Sequence, residues 1–408
     1  MEEKYNANEA DNAENVVDAV VNDITEENIQ ENIQEKKAER KGFRGIIKKY
    51  CPIFSLVFFC LFIIAGGVHI ACLASEKFAD FYNCNIGALV RAALAYLTMW
   101  IPFSLAETVI ISLPIIAFVL MYFSIKAYKK SEEASIRCIV ALLSILSLMY
   151  SIFVLGYGMG YHGSPLAEKL SLEEKAVTAQ ELEDTALILL GELEPLLDEI
   201  AYKTDGASCM PYSLDEMNDK LNETYKEVCK KYTFIQDLKS KIKYIALSEP
   251  MTYTHISGVY SYYTGEANLN INFPDYSLPF TAAHELAHQR GIAPENEANF
   301  VAFLVCKDSD DLYIRYSAYL NMFEYVTNAL YRANPESYYN LIYSADSRIR
   351  SELIAYSNFF EKYRESVASE VSDAVNDTYL KTQGVSEGSA SYGMVVDLTV
   401  AYYKKNAK

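Results

Sequence analysis

The chain has 408 residues, of which 51% are hydrophobic, and this length is enough for two or three domains. Its formal net charge of −18 argues against nucleic acid as a partner, because a phosphate backbone attracts basic surfaces. The eight cysteines form no Cys-x-x-Cys pair, which argues against a zinc ribbon or a thioredoxin-like site.

Residues 1–42 are polar and acidic and contain few aromatic side chains. A segment of this composition buries too little apolar surface to fold, so we predict a disordered acidic tail on the cytoplasmic side. We expect no cleavable signal peptide in this segment, because such a peptide needs an apolar core.

Residues 43–160 contain three stretches without a charged side chain. They cover about residues 52–74, 108–125 and 138–160. A helix rises about 1.5 Å per residue, so each stretch is long enough to cross a hydrocarbon core of ~30 Å. We therefore predict a three-helix transmembrane anchor in the lipid bilayer, with His69 as a polar residue near the outer end of the first span.

Basic residues flank these three spans unevenly. They lie before the first span and between the second and third, at Lys36, Lys37, Arg40, Lys41, Arg44, Lys48, Lys49, Lys126, Lys129, Lys130 and Arg137. The positive-inside rule predicts a cytoplasmic N-terminus and an extracytoplasmic C-terminal region. A fourth span at residues 86–106, which include Arg91 and Trp100, would break this rule. We predict an interfacial or re-entrant helix there.

Residues 161–408 are expected to form an extracytoplasmic α+β domain that is mostly helical. The predicted strands cover residues 243–247, 259–263 and 269–273, and the predicted helices cover residues 296–306, 311–332 and 347–376. Strands followed by helices are typical of α+β domains. Cys209 and Cys229 are a candidate disulfide pair in this region.

Two of the five histidines in the chain lie four residues apart, at His284 and His288, with Glu285 between them. On a helix such residues share one face, so both imidazoles can bind one Zn²⁺. The glutamate between them can then accept a proton from a water bound to the metal. Ser277 is expected to cap this helix and Gly291 to end it. The alternative is a partly buried helix with two histidines and a solvated glutamate.

A catalytic zinc ion usually takes three protein ligands, so a third is needed. The residues Glu295-Asn-Glu-Ala-Asn299 resemble the Glu-x-x-Ala-Asp pattern of Glu-liganded zinc peptidases. By that match Glu295 is the third ligand, and Asn299 forms a hydrogen bond with a ligand histidine on the side away from the metal. Glu297 stays an alternative ligand. Without the histidines, both glutamates would be read as acidic residues of a first helical turn.

The segment that contains this pattern, residues 278–300, resembles a bacterial family called domain of unknown function 3810 (DUF3810). The same resemblance extends to residues 100–104, 264–268, 376–381 and 391–393. It implies a membrane-anchored, zincin-like protein in the bacterial cell membrane. The resemblance implies no substrate, because the family itself is poorly characterised.

These observations predict a zinc-dependent metallopeptidase that hydrolyses a peptide or protein substrate outside the membrane. Glu285 would take a proton from a zinc-activated water and pass it to the leaving amine. The candidate donors to the oxyanion are Tyr392, Tyr379 and His255. The strand region 259–268 is a candidate edge for pairing with an extended peptide.

Two other classes of function remain open at this point. One is a catalytically silent, zinc-binding membrane sensor or assembly protein. The other is a membrane scaffold without metal. Glu285 argues against a silent site, because a structural metal site has no need of a general base. The sequence leaves the substrate and the oligomeric state open.

Overall fold

The computed structural model describes residues 44–173, 175–364, 366–383 and 394–406, together with residues 33, 42 and 385. Apart from residues 33 and 42, the predicted acidic tail at residues 1–42 lies outside this part of the chain. Tyr392 and the family motif at residues 391–393 also lie outside it.

Within the described residues, three helices are long and apolar enough to cross a membrane. They are α1 (Ile53–Ala74), α4 (Leu105–Lys130) and α5 (Glu132–Gly156), with mean hydropathies of 2.6, 2.4 and 2.6. The predicted apolar stretches therefore form helices, although the third helix ends at Gly156 rather than at residue 160. A short 3-10 helix, Gly158–His162, follows it.

The chain forms two compact units. The first contains the described residues up to 61 and residues 116–148, and the second contains residues 62–115 and the described residues from 149 onward. In the first unit, the hydroxyl of Ser144 donates a hydrogen bond to Ser55 over 2.9 Å. This bond joins α1 and α5 within the apolar region, where polar groups need internal partners.

The segment predicted as an interfacial helix is helical for most of its length. Helix α2 (Glu76–Tyr82) continues through a π-helical turn (Asn83–Gly87) into α3 (Ala88–Thr98). Arg91 of α3 is buried, and its guanidinium donates hydrogen bonds to Asn83 and to the carbonyl of Gly156. Trp100, just after α3, is 83% exposed. The segment therefore packs its charged residue inward and exposes its indole.

Two glutamates join this segment to the sheet of the second unit. Glu266 is buried and accepts hydrogen bonds from the backbone N–H groups of Leu105 and Ala106, the first residues of α4. Glu107 accepts bonds from Ala246 and Leu247. A carboxylate at a helix N-terminus satisfies orphan N–H groups and favours the helix dipole.

The described strands form one three-stranded sheet in the order β1–β3–β2. The strands are β1 (Lys243–Tyr244), β2 (Gly258–Ser261) and β3 (Glu266–Leu269). Strands β1 and β3 are parallel, whereas β2 and β3 are antiparallel, with Val259 opposite Asn268. The prediction of a strand at residues 269–273 was wrong, because the turn comes earlier, at Gly265 with a φ of +70°.

Helices make up most of the second unit. The remaining ones are α6 (Leu166–Lys169), α7 (Ala179–Leu193), α8 (Leu214–Lys231), α9 (Ser248–Thr252), α10 (Ser277–Gln289), α11 (Glu295–Lys307), α12 (Leu312–Ala333), α13 (Pro335–Ser344), α14 (Ser347–Glu361), α15 (Val367–Thr382) and α16 (Val395–Asn406), with a 3-10 turn at Glu194–Glu199. The single helix predicted at residues 347–376 is thus two helices. Tyr363 turns into the interior between them, and Ser366 caps α15.

Helix α10 lies at the centre of the core, and every one of its residues except Thr281 is buried. It packs against α11, α12 and the strands β2 and β3. A helix that is buried all round needs partners for its polar side chains, and α10 carries the two histidines and Glu285. Ser277 begins this helix rather than capping it, since its hydroxyl donates to the carbonyl of Pro274. Cys209 and Cys229 are free thiols, so the candidate disulfide is not formed.

Candidate metal centre

Helices α10 and α11 bring His284, His288 and Glu295 together. The Oε2 atom of Glu295 lies 3.2 Å from Nε2 of His284 and 3.3 Å from Nε2 of His288. The histidines share a face because they are four residues apart. Gly291, with a φ of +99°, reverses the chain so that α11 returns across this face.

His288 is held by its other ring nitrogen. Nδ1 lies 2.7 Å from the carbonyl oxygen of Ile292 and 3.0 Å from the hydroxyl of Tyr157. A carbonyl oxygen can only accept, so Nδ1 carries the proton in this contact. In the neutral ring, the lone pair of Nε2 then faces Glu295 and the space between the ligand candidates. This is the orientation that a ligating histidine requires.

His284 is held less firmly than His288. Its Nδ1 atom is buried, and the described residues offer it no hydrogen bond of ordinary geometry; the same holds for Nδ2 of Asn299. Asn299 is nevertheless a close neighbour that acts on the pKa of His284. Asn299, which was predicted to support a ligand histidine, therefore lies next to His284. It offers that histidine a neutral amide rather than a carboxylate.

Burial and mutual contact shift the pKa values of all three residues of the cluster, even without a cation. Burial raises the pKa of Glu295, but the charge of His288 and hydrogen bonds from both histidines outweigh it, so that pKa lies well below its usual range. Burial lowers the pKa of His288, but Glu295 raises it overall, to about 9. Burial, reinforced by His288, lowers the pKa of His284. Loss of hydration and a like charge account for the direction at His284, and attraction between opposite charges accounts for the directions at His288 and Glu295.

Glu285 lies beside this cluster at the edge of the sheet. It is 4% exposed, and its Oε2 atom has no hydrogen-bond partner among the described residues. A backbone N–H of Tyr260 bonds to its carboxylate, and burial raises its pKa to about 8. A Cβ atom on Gly258 would lie 2.6 Å from Oε1 of Glu285, so only glycine leaves room for this carboxylate.

A tetrahedral zinc ion would need its ligand atoms at set distances from one another. Ligand bonds of about 2.0–2.1 Å in a regular tetrahedron place the ligand atoms about 3.3–3.4 Å apart. The two distances from Glu295 to the histidines, 3.2 and 3.3 Å, are close to that edge length. All three ligand atoms lie within 4.8 Å of one another, and two imidazoles with one carboxylate are a donor set that zinc accepts.

Glu297, the alternative ligand, has a different partner. Its Oε1 atom accepts a 2.7 Å hydrogen bond from the backbone N–H of Leu166, the first residue of α6. Residues Glu295 and Glu297 are two positions apart, which turns their side chains to different sides of a helix. Glu295 is thus the glutamate that lies with the histidines.

The two glutamates offer a matched pair of variants. We expect Glu295→Gln to weaken zinc binding by more than the roughly 10–100-fold that loss of an outer partner causes, because an amide is a poor ligand. Glu297→Gln keeps an acceptor for Leu166 and should bind zinc as the wild type does. Competition with a chromophoric chelator measures both affinities. Equal affinities for the two variants would contradict the assignment of Glu295.

The cavity next to the cluster has a volume of about 1010 Å³. Tyr379 and His255 both line it, whereas Tyr392 lies outside the described residues. Nε2 of His255 is 2.8 Å from the backbone carbonyl of Tyr363, so its proton is already engaged. Tyr379 accepts a 3.4 Å hydrogen bond from the hydroxyl of Tyr161, which leaves its own proton available.

Sequence reasoning missed Tyr157, Tyr161 and Gly258. Tyr157 was predicted to lie in the third span and Tyr161 at the start of the domain that follows it, and glycine occupies every second position from 156 to 160. The glycines were the available signal, because they allow close approach of another segment. A Cβ atom on Gly160 would lie 2.9 Å from the Cβ atom of Ala293. Ala293 belongs to the loop that joins α10 to α11, between His288 and Glu295 in the sequence.

Over the described residues, the fold and the site define a mostly helical protein with three apolar helices, a small mixed sheet and a largely buried cluster of two histidines and a glutamate. A family model described as "Protein of unknown function (DUF3810)" matches residues 82–400. The chain therefore belongs to the DUF3810 family, as the sequence motifs predicted. No curated protein and no solved structure matches the chain.

Proposed function

We propose that the protein is a membrane-anchored, zinc-dependent metallopeptidase. One observation carries the proposal: Glu295 lies within 3.3 Å of Nε2 of both histidines, with the unpartnered Oε2 atom of Glu285 next to them on the wall of one cavity. His284, His288 and Glu295 would hold the metal. Zinc at this position would supply Lewis-acid polarisation of a carbonyl and a more acidic water.

Glu285 is the proposed general base. Its free Oε2 atom can accept a proton from water, while the N–H of Tyr260 holds the carboxylate in place. The same carboxyl group can then donate that proton to the amine that leaves. A cation between the histidines would lower the pKa of Glu285 and favour the charged form that a base needs.

Tyr379 is the proposed donor to the oxyanion of the substrate. Its hydroxyl accepts from Tyr161, so its own proton can point into the cavity. Burial raises the pKa of Tyr379 to about 12 in spite of the hydrogen bond from Tyr161, and the charge of Glu295 adds to the rise, so the hydroxyl stays protonated. A neutral donor fixed near the developing charge is what such a site requires.

We place the site on the extracytoplasmic side of a bacterial cell membrane. Helices α1, α4 and α5 would cross the bilayer, with the turn between α4 and α5 in the cytoplasm. Lys129 and Lys130 end α4 and Arg137 lies in α5, which gives this turn the basic character of a cytoplasmic loop.

Metal removal tests the proposal. The full chain in lipid nanodiscs should cleave a peptide pool prepared from a digested proteome, and mass spectrometry should detect the new termini. We expect a chelator to abolish cleavage and added Zn²⁺ to restore it, because the base alone cannot activate water at a useful rate. Zinc binding without any new termini would favour a sensor or assembly protein instead.

A further inference from the structure

The charge of the cavity limits what can enter it. The described residues that line it include no lysine or arginine, whereas Glu285, Glu295 and Asp373 all contribute carboxylates. A substrate carboxylate is usually recognised by a basic side chain, most often a bidentate arginine. A free C-terminus or an acidic side chain would therefore meet like charges here without a basic side chain of the described lining to bind it.

One wall of the cavity is aromatic. Phe273, Phe280, Tyr325, Tyr356 and Phe360 line it, and they come from α10, α12, α14 and the loop before α10. Phe360 packs closely on Tyr356, with ring centroids 4.8 Å apart. Aromatic rings on a pocket wall favour a bulky apolar side chain.

Helix α15 forms another wall, and it too is apolar. Val371 and Val375 line the cavity, yet they are 58% and 64% exposed. The helix buries just Ser369 and Leu380 among its described residues, so it is held mainly at its ends. The two valines therefore face the cavity without a protein partner that covers them.

The edge of β2 offers hydrogen bonds to an extended chain. Among the described residues, no strand pairs with the edge of β2 that faces away from β3. The carbonyl of Ser257 accepts a hydrogen bond from the N–H of Asn270, which follows β3, so in an antiparallel ladder Gly258 and Tyr260 direct their backbone groups to the other edge. The N–H of Tyr260 already bonds to Glu285, so the groups offered to a substrate are those of Gly258 and the carbonyl of Tyr260. Both residues line the cavity. An extended peptide can add there as a further strand.

We infer that the site takes an extended, apolar stretch of polypeptide and does not bind its C-terminal carboxylate, so that the enzyme is an endopeptidase rather than a carboxypeptidase. This inference rests on the proposed peptidase function. The backbone of the substrate would pair with β2. An apolar side chain would lie between the aromatic wall and the two valines of α15.

Chemical blocking of peptide ends tests this inference. The zinc-loaded full chain is given the same peptide pool in three forms: untreated, amidated at the C-termini, and acetylated at the N-termini. We expect equal cleavage of all three forms, at interior bonds flanked by bulky apolar residues. Loss of cleavage on amidation or on acetylation would overturn the inference and indicate an exopeptidase. Cleavage next to acidic residues would also overturn it.

A pair of valine variants tests the role of α15. Val371→Asp should lower kcat/KM for the best peptide by about tenfold or more, which is the effect of one lost apolar contact in a pocket. Val367→Asp is the control, because Val367 is 78% exposed on the same helix and does not line the cavity. Equal effects of the two aspartate variants would overturn the assignment of this wall.

The outcomes separate this inference from the proposed function. Glu285-dependent cleavage at chain ends would support the proposed peptidase function and overturn the endopeptidase inference. No cleavage of any pool by the zinc-loaded wild type would overturn both.

Discussion

The purified full-length protein is expected to carry about one zinc ion per chain, and the double variant His284→Ala/His288→Ala is expected to carry none. Removal of both imidazoles leaves Glu295 as a single carboxylate ligand, which holds zinc too weakly to survive purification. Elemental analysis of protein in detergent micelles measures both values.

The structure supplies a control histidine for this measurement. His255 lines the same cavity as the ligand candidates, but its Nε2 atom contacts the carbonyl of Tyr363. His255→Ala should therefore keep its zinc. Zinc that persists in the double variant, or a wild type with less than a tenth of an equivalent, would rule out this centre.

Zinc should also stabilise the wild type against unfolding. A ligand that binds only the folded state raises stability by an amount that grows with its concentration over Kd. Added Zn²⁺ should raise the Tm of the wild type and leave that of the double variant unchanged. The two alanine substitutions also remove both close partners of the Glu295 carboxylate, so the variant is expected to be less stable at the outset.

The variant Glu285→Gln is expected to lose peptide hydrolysis by at least about a hundredfold while its zinc content stays that of the wild type. Glutamine has the shape of glutamate and fits above Gly258, where a Cβ atom would collide with the side chain. The amide cannot accept the proton of a water, so the base is lost and the ligands remain.

Glu324→Gln is the matched control for Glu285→Gln. Glu324 is a second glutamate whose pKa is raised by burial, and its carboxylate accepts a hydrogen bond from Tyr276. It does not line the cavity. Its variant should hydrolyse peptides at the wild-type rate. Wild-type turnover by Glu285→Gln would show that another group is the base.

Sequence reasoning succeeded where the signal is local. The three apolar stretches were correctly predicted to be helices, because hydropathy is read from contiguous residues. The spacing of His284 and His288 placed both on one face of α10, since helical periodicity is fixed. The same periodicity placed Glu295 and Asn299 on one side of α11.

Sequence reasoning failed where the outcome depends on packing. The strand expected at residues 269–273 is at Glu266–Leu269, because the chain turns at Gly265. The long helix expected at residues 347–376 breaks where Tyr363 enters the interior. A hydrophobic pattern does not show which aromatic residue leaves a helix to pack beneath its neighbours.

The sequence by itself determined the apolar helices, the pairing of two histidines on one helical face and the family to which the chain belongs. The tertiary structure decided which glutamate lies against the histidines, which ring nitrogen of His288 is held, and that basic side chains are missing from the described lining of the cavity. The reason is physical. Helical spacing and hydropathy are fixed by neighbours along the chain, whereas the contact of Tyr157 with His288 joins residues 131 positions apart.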